Sequence, residues 1–301
     1  MEESNDKIIY SIIIPHYNLF DNLRRLLNSI PKRSDTEVIV VDDCSPNAKD
    51  FIEKFKREYP LVSFYSTVNN GGGGKARNIG ITKAVGKYLI FADADDFFLP
   101  SFTSILDEYS NQSFDMVIFN AISLKQGNFN ISNRNHHLTS HIIESLKNKD
   151  MNFLYFRFLF GEPWCRIINK KLIEKHSIKF DETRIHNDTY FAYQIGFYST
   201  NLIIDPTVAY CIMDRKGSVS KKLDEEKNNT VISIFSRKNK FLRKHDINVF
   251  DPMILYPFRN SLKTLDLKRI RKYLKLLKDN GYPIWRLLMD TTKYKMNLFN
   301  R

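Results

Sequence analysis

The apolar run Tyr88-Leu89-Ile90-Phe91-Ala92 leads directly into the acidic stretch Asp93-Ala94-Asp95-Asp96. Such a run predicts a buried β-strand, and the acids then lie at its carboxyl end, where open α/β sheets bind their ligands. Carboxylates this close repel one another unless a cation offsets their charge. Mg²⁺ binds one or two protein carboxylates together with substrate phosphates. The stretch therefore indicates a metal–diphosphate site, and the alternative is a solvated acidic turn or a helix N-cap.

The residues around this stretch alternate between strand and helix patterns. We predict strands over residues 8–14, 37–41, 61–68, 87–92 and 114–119, and helices over residues 22–30, 48–58, 75–85 and 101–110. This alternation predicts an α/β fold with a mostly parallel sheet flanked by helices. Residues 121–150, rich in Asn, Ser and His, predict a loop or a variable excursion. The pattern returns with strands over residues 164–168 and 202–213 and helices over residues 170–176 and 188–198.

The composition is that of an ordinary globular protein. Of the 301 residues, 43% are hydrophobic and 27% are charged, which suits one large domain or two small ones. No stretch approaches the roughly 18 consecutive apolar residues of a membrane-spanning helix. The acidic start, Met1-Glu2-Glu3-Ser4-Asn5-Asp6, argues against a secretory signal. Cys44, Cys165 and Cys211 form neither a disulfide framework nor a zinc spacing, so we expect a cytoplasmic protein.

Positive charge is concentrated at the C-terminal end. From Arg215 onward the chain has 22 basic and 8 acidic residues, against 24 and 26 before it. This predicts a domain over residues 1–220 and a basic, mainly helical extension over residues 221–301. Between Leu262 and Lys278 the apolar residues gather near one helical face and basic residues cover the rest, which predicts a peripheral helix on an anionic membrane surface. The alternative is a packed helix with a solvated basic face.

The glycine run Gly71–Gly74 allows two interpretations. It satisfies a loose dinucleotide fingerprint with an acid about twenty residues further on at Asp93, which would indicate an NAD(P)-dependent oxidoreductase. Against this, that fingerprint normally lies on the first βα turn, and this is the third. The other interpretation is a backbone without Cβ atoms that approaches a ligand closely, with Arg77 beside it as a donor to phosphate.

Four segments resemble the motifs of the family 2 glycosyltransferases of bacterial polysaccharide biosynthesis. In chain order they are residues 11–18 (SIIIPHYN), 38–45 (VIVVDDCS), 70–80 (NGGGGKARNIG) and 93–96 (DADD). Their order and approximate spacing are similar to those of the family over about residues 8 to 220. The resemblance implies the family's GT-A fold, a Rossmann-like α/β architecture.

The resemblance also implies a site for a nucleotide-sugar donor. It implies that Asp43 holds the uracil or ribose, and that Asp93 and Asp95 hold Mn²⁺ or Mg²⁺ against the donor diphosphate. The metal then neutralises charge that builds on the leaving nucleoside diphosphate. The implied donor-binding residues are Pro15, Tyr17, Asp43, Gly72, Arg77, Asp93 and Arg215.

Catalytic and acceptor residues follow from the same resemblance. Inverting members of the family have a Glu-Asp pair at a helix start, and the matching pair here is Asn187-Asp188. Asp188 is therefore the candidate catalytic base, with an N-cap role as the alternative. Arg215 begins a segment similar to the family's Arg-x-x-Ser loop near the diphosphate. Trp164 resembles an aromatic that lies near the acceptor in relatives.

We therefore expect an inverting, metal-dependent glycosyltransferase. It would move a sugar from a nucleotide-sugar, with UDP as the nucleotide, to a hydroxyl of a glycan or a lipid-linked acceptor in cell-surface polysaccharide synthesis. One rival is the oxidoreductase that uses Gly71–Gly74. The other is a non-enzymatic nucleic-acid-binding protein, suggested by an isoelectric point of about 9.4. The basic excess lies at one end only and contains no recognisable nucleic-acid motif, so we expect no nucleic-acid partner.

Overall fold

The chain divides into two compact units in a computed structural model that describes residues 8–46, 48–147, 153–215 and 224–299. The first unit comprises residues 1–182 and 187–217, and the second comprises residues 183–186 and 218–301. The short segment 183–186 thus belongs with the C-terminal helices although it interrupts the first unit in sequence. The predicted boundary at residue 220 lies outside the described residues.

A single eight-stranded sheet organises the first unit, in the order β3-β2-β1-β4-β7-β6-β8-β5. The strands are β1 (Tyr10–His16), β2 (Thr36–Asp42), β3 (Val62–Ser66), β4 (Tyr88–Phe91), β5 (Phe97–Phe98), β6 (Met116–Lys125), β7 (Arg166–Asn169) and β8 (Leu202–Asp214). Strands β3, β2, β1 and β4 are parallel, as are β6 and β8. Strand β7 is antiparallel to β4 and β6, and β5 is antiparallel to β8. The predicted mostly parallel α/β sheet is confirmed.

Helices pack on the sheet and form the hydrophobic core of the first unit together with it. They are α1 (Phe20–Ser29), α2 (Ala48–Glu58), α3 (Gly72–Lys83), α4 (Phe102–Tyr109), α5 (His136–Lys147), α6 (Lys170–Lys175) and α7 (Thr189–Tyr198), with a π-helical turn at Tyr155–Leu159. Consecutive residues Ile12, Ile13 and Ile14 of β1 are all buried. Because neighbouring side chains point to opposite faces of a strand, both faces of the sheet are covered here, as parallel sheets require.

The register brings the candidate site residues together. Ile13 pairs with Phe91 of β4 and His16 pairs with Asp42 of β2, so the carboxyl ends of these parallel strands meet at one edge of the sheet. The residues that follow the three strands (Tyr17, Asp43 and Asp93) therefore lie along the same edge.

The predicted loop is confirmed for residues 126–135 but is wrong for residues 121–125 and 136–147, and residues 148–150 lie outside the described residues. Strand β6 continues to Lys125 and pairs with β8 as far as Asp214, and helix α5 begins at His136. The polar residues on which the loop prediction rested form hydrogen bonds with one another. Ser123 Oγ donates to Asn135 Oδ1 at 2.7 Å, and Asn135 Nδ2 donates to Thr139 Oγ1 at 2.9 Å. A buried polar network satisfies its own hydrogen bonds, so polarity did not indicate exposure here.

The glycine run is mostly helical, which also differs from the prediction. Helix α3 begins at Gly72 rather than Lys75, although glycine is a poor helix former. Close packing explains the choice at Gly74, where a Cβ would lie 2.0 Å from the backbone oxygen of Asp181. The first turn of α3 thus packs directly on the loop that leads to Asn187 and Asp188.

The second unit is helical. Its helices are α8 (Glu225–Lys244), a 3-10 turn (Pro252–Leu255), α9 (Tyr256–Lys263), α10 (Leu267–Asp279) and α11 (Ile284–Phe299). They enclose a separate core that includes Val231, Phe235, Tyr273, Leu277 and Leu287. Within the described part of the chain, no helix is long and apolar enough to span a bilayer.

The single amphipathic helix predicted from Leu262 to Lys278 is wrong. The helix is interrupted after α9, and α10 starts anew with Asp266 as its N-cap, which accepts a hydrogen bond from the Arg269 backbone N–H at 2.9 Å. Tyr273 and Leu277 are buried in the core of the second unit, whereas Leu262 is exposed. The apolar face of α10 is therefore used for packing, and its basic face is solvated.

We predict that Gly196→Ala destabilises the first unit. A Cβ at this α7 position would lie 1.9 Å from the backbone oxygen of Arg157 in the π-helical turn. Overpacking of this kind costs about 1–3 kcal/mol, against a gain of roughly 1 kcal/mol from better helix propensity. Urea unfolding measures the balance. Gly161→Ala is the matched control because an added Cβ there meets nothing within 4 Å. An unchanged or raised midpoint for Gly196→Ala would contradict the packing.

Candidate functional site

Three carboxylates meet at the carboxyl end of β4. Asp93, Asp95 and Asp96 can each bring an oxygen within 4.8 Å of the others. Asp96 is buried and its Oδ1 accepts the Met213 backbone N–H at 2.8 Å, so it fastens the acidic turn to β8. The side chains of Asp93 and Asp95 keep 33% and 17% of their surface exposed. Asp93 and Asp95 therefore lie on the solvent side of the cluster, whereas Asp96 is buried and has a structural role.

Two arginines offset part of this negative charge. Arg77 Nη2 lies 2.6 Å from Asp93 Oδ1, and Arg215 Nε lies 2.6 Å from Asp95 Oδ2. Burial and the charge of Asp93 nevertheless raise the pKa of Asp95, against the opposing effect of Arg215. Burial and the two neighbouring carboxylates raise the pKa of Asp96 well above its usual range. The cluster thus favours added positive charge, and its hard oxygen ligands suit Mg²⁺ or Mn²⁺.

The Asp43 carboxylate accepts hydrogen bonds from the backbone of the glycine run. It is buried, its Oδ1 accepts the Gly71 N–H at 2.9 Å and the Thr67 hydroxyl at 3.1 Å, and its Oδ2 accepts the Gly72 N–H at 2.6 Å. A carboxylate has about four acceptor sites, so the bonds made among the described residues leave capacity for one from a ligand. The amides that a dinucleotide pyrophosphate would need are already used, which argues against the oxidoreductase interpretation.

Arg77 connects the acidic cluster to the loop before α7. Its Nη1 donates to Asn187 Oδ1 at 3.0 Å while its Nη2 contacts Asp93, and its guanidinium lies over the Phe180 ring. Arg77 is only 7% exposed, and its Nε has no hydrogen-bond partner among the described residues. Because Asn187 is neutral, the charge of Arg77 is not shared with a second carboxylate at that position. Arg77 therefore holds both the cluster and the residue next to Asp188.

Asp188 stands at the N-cap position of α7 but its side chain makes no capping hydrogen bond. The N-cap alternative therefore does not describe what its carboxylate does. The loop that carries it is fixed by the Asp181 N–H, which donates to the Asn187 carbonyl at 2.9 Å. A half-buried carboxylate that is held in place without capping the helix is suited to proton transfer.

Sequence reasoning missed two charged residues beside Asp188. Glu162 is exposed, and desolvation by the surrounding protein together with the Asp188 carboxylate raises its pKa. Arg166 is buried, its Nε donates to the Glu162 carbonyl at 3.0 Å, and burial lowers its pKa to about 10 although Glu162 and Asp188 oppose the change. The sequence offered one signal, the charged pair that flanks Trp164-Cys165.

Arg134 is a third missed residue, and it lies in the stretch predicted as a loop. Its charge lowers the pKa of both Asp95 and Glu162, although other causes dominate at each acid. The guanidinium also donates to the Met213 carbonyl at 3.4 Å. An exposed arginine between β6 and α5 thus acts electrostatically on both acids, and nothing in its sequence surroundings indicated this.

The remaining predicted residues lie at different depths. Pro15 is the second-last residue of β1, the exposed Tyr17 comes directly after that strand, and the Gly72 N–H donates to Asp43. Trp164 is buried and its ring stacks at 6.1 Å on Tyr210, whose hydroxyl accepts the Asp93 N–H at 3.0 Å. One face of the indole is therefore covered by protein. Of the predicted Arg-x-x-Ser loop only Arg215 is described, and residues 216–220 lie outside the described residues.

Comparisons with known proteins identify related sequences. A family model described as Glycosyl transferase family 2 matches residues 11–177. The poly(ribitol-phosphate) beta-N-acetylglucosaminyltransferase TarS of Staphylococcus aureus is 37% identical over 93 residues, which are 29% of this chain and 16% of TarS. The glycosyltransferase GlyG of Streptococcus pneumoniae is 25% identical over 306 residues, 95% of this chain and 93% of GlyG. The match to TarS thus spans a small part of that relative's length.

Solved structures share the fold. S. aureus TarS 1–349 in complex with UDP-GlcNAc has a TM-score of 0.60 at 18% identity, covering 89% of this chain and 81% of that one. The mannosyltransferase PcManGT from Pyrobaculum calidifontis, in complex with GDP-Man and Mn²⁺, has a TM-score of 0.55 at 14% identity and covers 97% and 81%. At these identities the likeness establishes the predicted GT-A fold alone. Because the family model covers more than half of the sequence, the chain belongs to glycosyl transferase family 2.

Proposed function

We propose that this protein is an inverting, metal-dependent glycosyltransferase that uses a UDP-sugar. The observation that carries the proposal is the acidic cluster at the carboxyl end of β4, flanked by Arg77 and Arg215 and joined through Asn187 to the loop that bears Asp188. A metal–diphosphate site and a carboxylate suited to proton transfer are the two parts that this reaction needs.

The donor side of the proposal uses the solvent-facing acids and the arginines. Asp93 and Asp95 would hold Mn²⁺ or Mg²⁺, which when bound offsets the charge of the departing nucleoside diphosphate. Arg77 and Arg215, which pair with these two acids, would donate to phosphate oxygens once the acids bind the metal. Asp43, Pro15, Tyr17 and Gly72 would form the nucleoside side of the pocket. Support for the nucleotide comes from TarS, whose structure is in complex with UDP-GlcNAc.

The acceptor side of the proposal uses Asp188. Its carboxylate would take the proton from an acceptor hydroxyl while that oxygen bonds to the anomeric carbon, opposite the breaking bond to the diphosphate, so the anomeric configuration inverts. Glu162 and Arg166 lie near enough to act on it electrostatically and would help to orient the acceptor. Trp164, which is 6% exposed, would support the acceptor site from within the protein.

For the acceptor we propose a glycan or lipid-linked hydroxyl in cell-surface polysaccharide synthesis. The support is the kind of relative that matches. Besides TarS, these relatives include the poly(ribitol-phosphate) beta-glucosyltransferase of Bacillus spizizenii and the minor teichoic acid biosynthesis protein GgaB of Bacillus subtilis. We also propose that the protein works in the cytoplasm, at the inner face of the cell membrane. The excess of basic residues from Arg215 onward supports an anionic surface as partner.

Nucleotide-sugars with Mn²⁺ should raise the melting temperature, and NAD(P) should not. A ligand that binds only the folded state stabilises it by about 2.7 kcal/mol at one hundred times its dissociation constant. A thermal-shift screen of UDP-sugars and GDP-sugars, each with and without Mn²⁺, measures this and names the donor. A shift with NAD(P) and none with any nucleotide-sugar would favour the oxidoreductase.

Asp95→Asn should weaken Mn²⁺ binding by at least about tenfold, because it removes one hard anionic ligand. The free Mn²⁺ signal in electron paramagnetic resonance measures this directly, without any turnover. The metal-free fold should not lose stability at pH 7, because an acid whose pKa is raised by folding destabilises the fold once it ionises. Asp21→Asn, which removes an exposed carboxylate of α1, is the control. Equal Mn²⁺ affinity in the two variants would contradict the assignment.

Asp188→Asn should lower turnover by about 10² to 10⁴, the usual contribution of a general base. Donor affinity in the thermal-shift assay should stay near that of the unchanged protein, since the base acts on the acceptor. Asp279→Asn at the exposed end of α10 is the control for loss of one carboxylate. Turnover within a factor of about two of the unchanged protein would reject Asp188 as the base.

A further inference from the structure

Helix α11 has an apolar stripe on its outer side. Trp285, Leu288 and Met289 are 55%, 63% and 57% exposed, and Ile284 beside them is 42% exposed. Residues spaced by three and four share one face of a helix, so the first three form a continuous strip, which we call the α11 stripe. Large apolar side chains gathered on one exposed face usually mark a contact surface.

The opposite side of α11 is fastened to the second unit. Leu287 is buried in that unit's core. Asp290 of α11 forms an ion pair with Arg243 and accepts a hydrogen bond from the Tyr282 hydroxyl. The orientation of the helix is thus fixed by packing and by an ion pair. The stripe faces outward because these inner contacts require it.

One basic residue lies next to the α11 stripe, and further basic residues are exposed on the preceding helix. Arg286 lies next to it, with its guanidinium 4.5 Å from the centre of the Trp285 ring. The preceding helix α10 exposes its basic side chains, namely Lys268, Arg269, Arg271, Lys272, Lys275 and Lys278. Each basic residue near an anionic lipid surface contributes about 1 kcal/mol to binding. An amphipathic helix with tryptophan on its apolar side and arginine or lysine around it suits the lipid interface.

We propose that the α11 stripe inserts into the headgroup region of an anionic membrane, with the basic face of α10 binding its lipid phosphates. This deepens the proposed membrane location of the enzyme and replaces the predicted contact, since the apolar residues Tyr273 and Leu277 of α10 are buried. It is independent of the donor chemistry, because none of the α11 stripe residues belongs to the acidic cluster.

Vesicle binding with tryptophan fluorescence tests the proposal. The chain has two tryptophans, of which Trp164 is already buried, so a blue shift on adding vesicles reports Trp285. The full chain should sediment with vesicles of phosphatidylglycerol and phosphatidylcholine, shift to the blue, and be released by high salt. Trp285→Ser with Leu288→Ser should weaken binding by about tenfold or more, because two large apolar side chains no longer insert.

Matched controls distinguish binding through this surface from non-specific hydrophobic binding and from loss of folding. Leu61→Ser with Val68→Ser removes two apolar side chains of the first unit that are even more exposed, at 88% and 97%, and should leave vesicle binding unchanged. The thermal shift with donor and Mn²⁺ should be the same in both double variants. Undiminished sedimentation of the Trp285 and Leu288 double variant would overturn the proposal. So would light scattering that shows a dimer dissociated by the same two changes with no vesicle binding, since the stripe would then bind a second copy.

Discussion

The mutual repulsion of three carboxylates at the end of β4 is the constraint on which the site depends. One of them, Asp96, is buried and fastens the turn to β8, so the acidic group cannot spread apart. The structure offsets the charge from two sides, with Arg77 from helix α3 and Arg215 from the end of β8. Elements far apart in sequence thus meet because each brings a cation to the same anions. The cluster still favours a further cation, and this preference is what makes it suitable for a metal and a diphosphate.

The glycine run serves this arrangement through packing rather than through flexibility. Gly71 and Gly72 donate to Asp43, which joins the end of β2 to the start of α3. Gly74 lets α3 contact the backbone of Asp181 in the loop before Asp188. Arg77, one turn further along α3, then reaches both Asp93 and Asn187. A single helix therefore sets the distance between the acidic cluster and the candidate base.

The second unit divides its apolar surface between packing and exposure. Helix α10 buries Tyr273 and Leu277, whereas α11 buries Leu287 and leaves Trp285 and Leu288 outside. Both helices are amphipathic in sequence, so the pattern alone does not tell which apolar residues are buried. The difference arises from the inner contacts of each helix, such as the ion pair of Arg243 with Asp290, which fix one rotation about the helix axis.

The sequence by itself determined the α/β alternation, the strand ends that carry Asp43 and Asp93, and the family, because these depend on local patterns and on motif order. It could not determine that residues 121–125 form strand and residues 136–147 form helix, since the polar side chains there bond to one another only after folding. Nor could it find Glu162, Arg166 and Arg134 beside the site, or the outward side of α11. Those features depend on contacts between residues distant in sequence, and only the tertiary structure decides which distant groups share a low-dielectric surrounding and which helix face is covered.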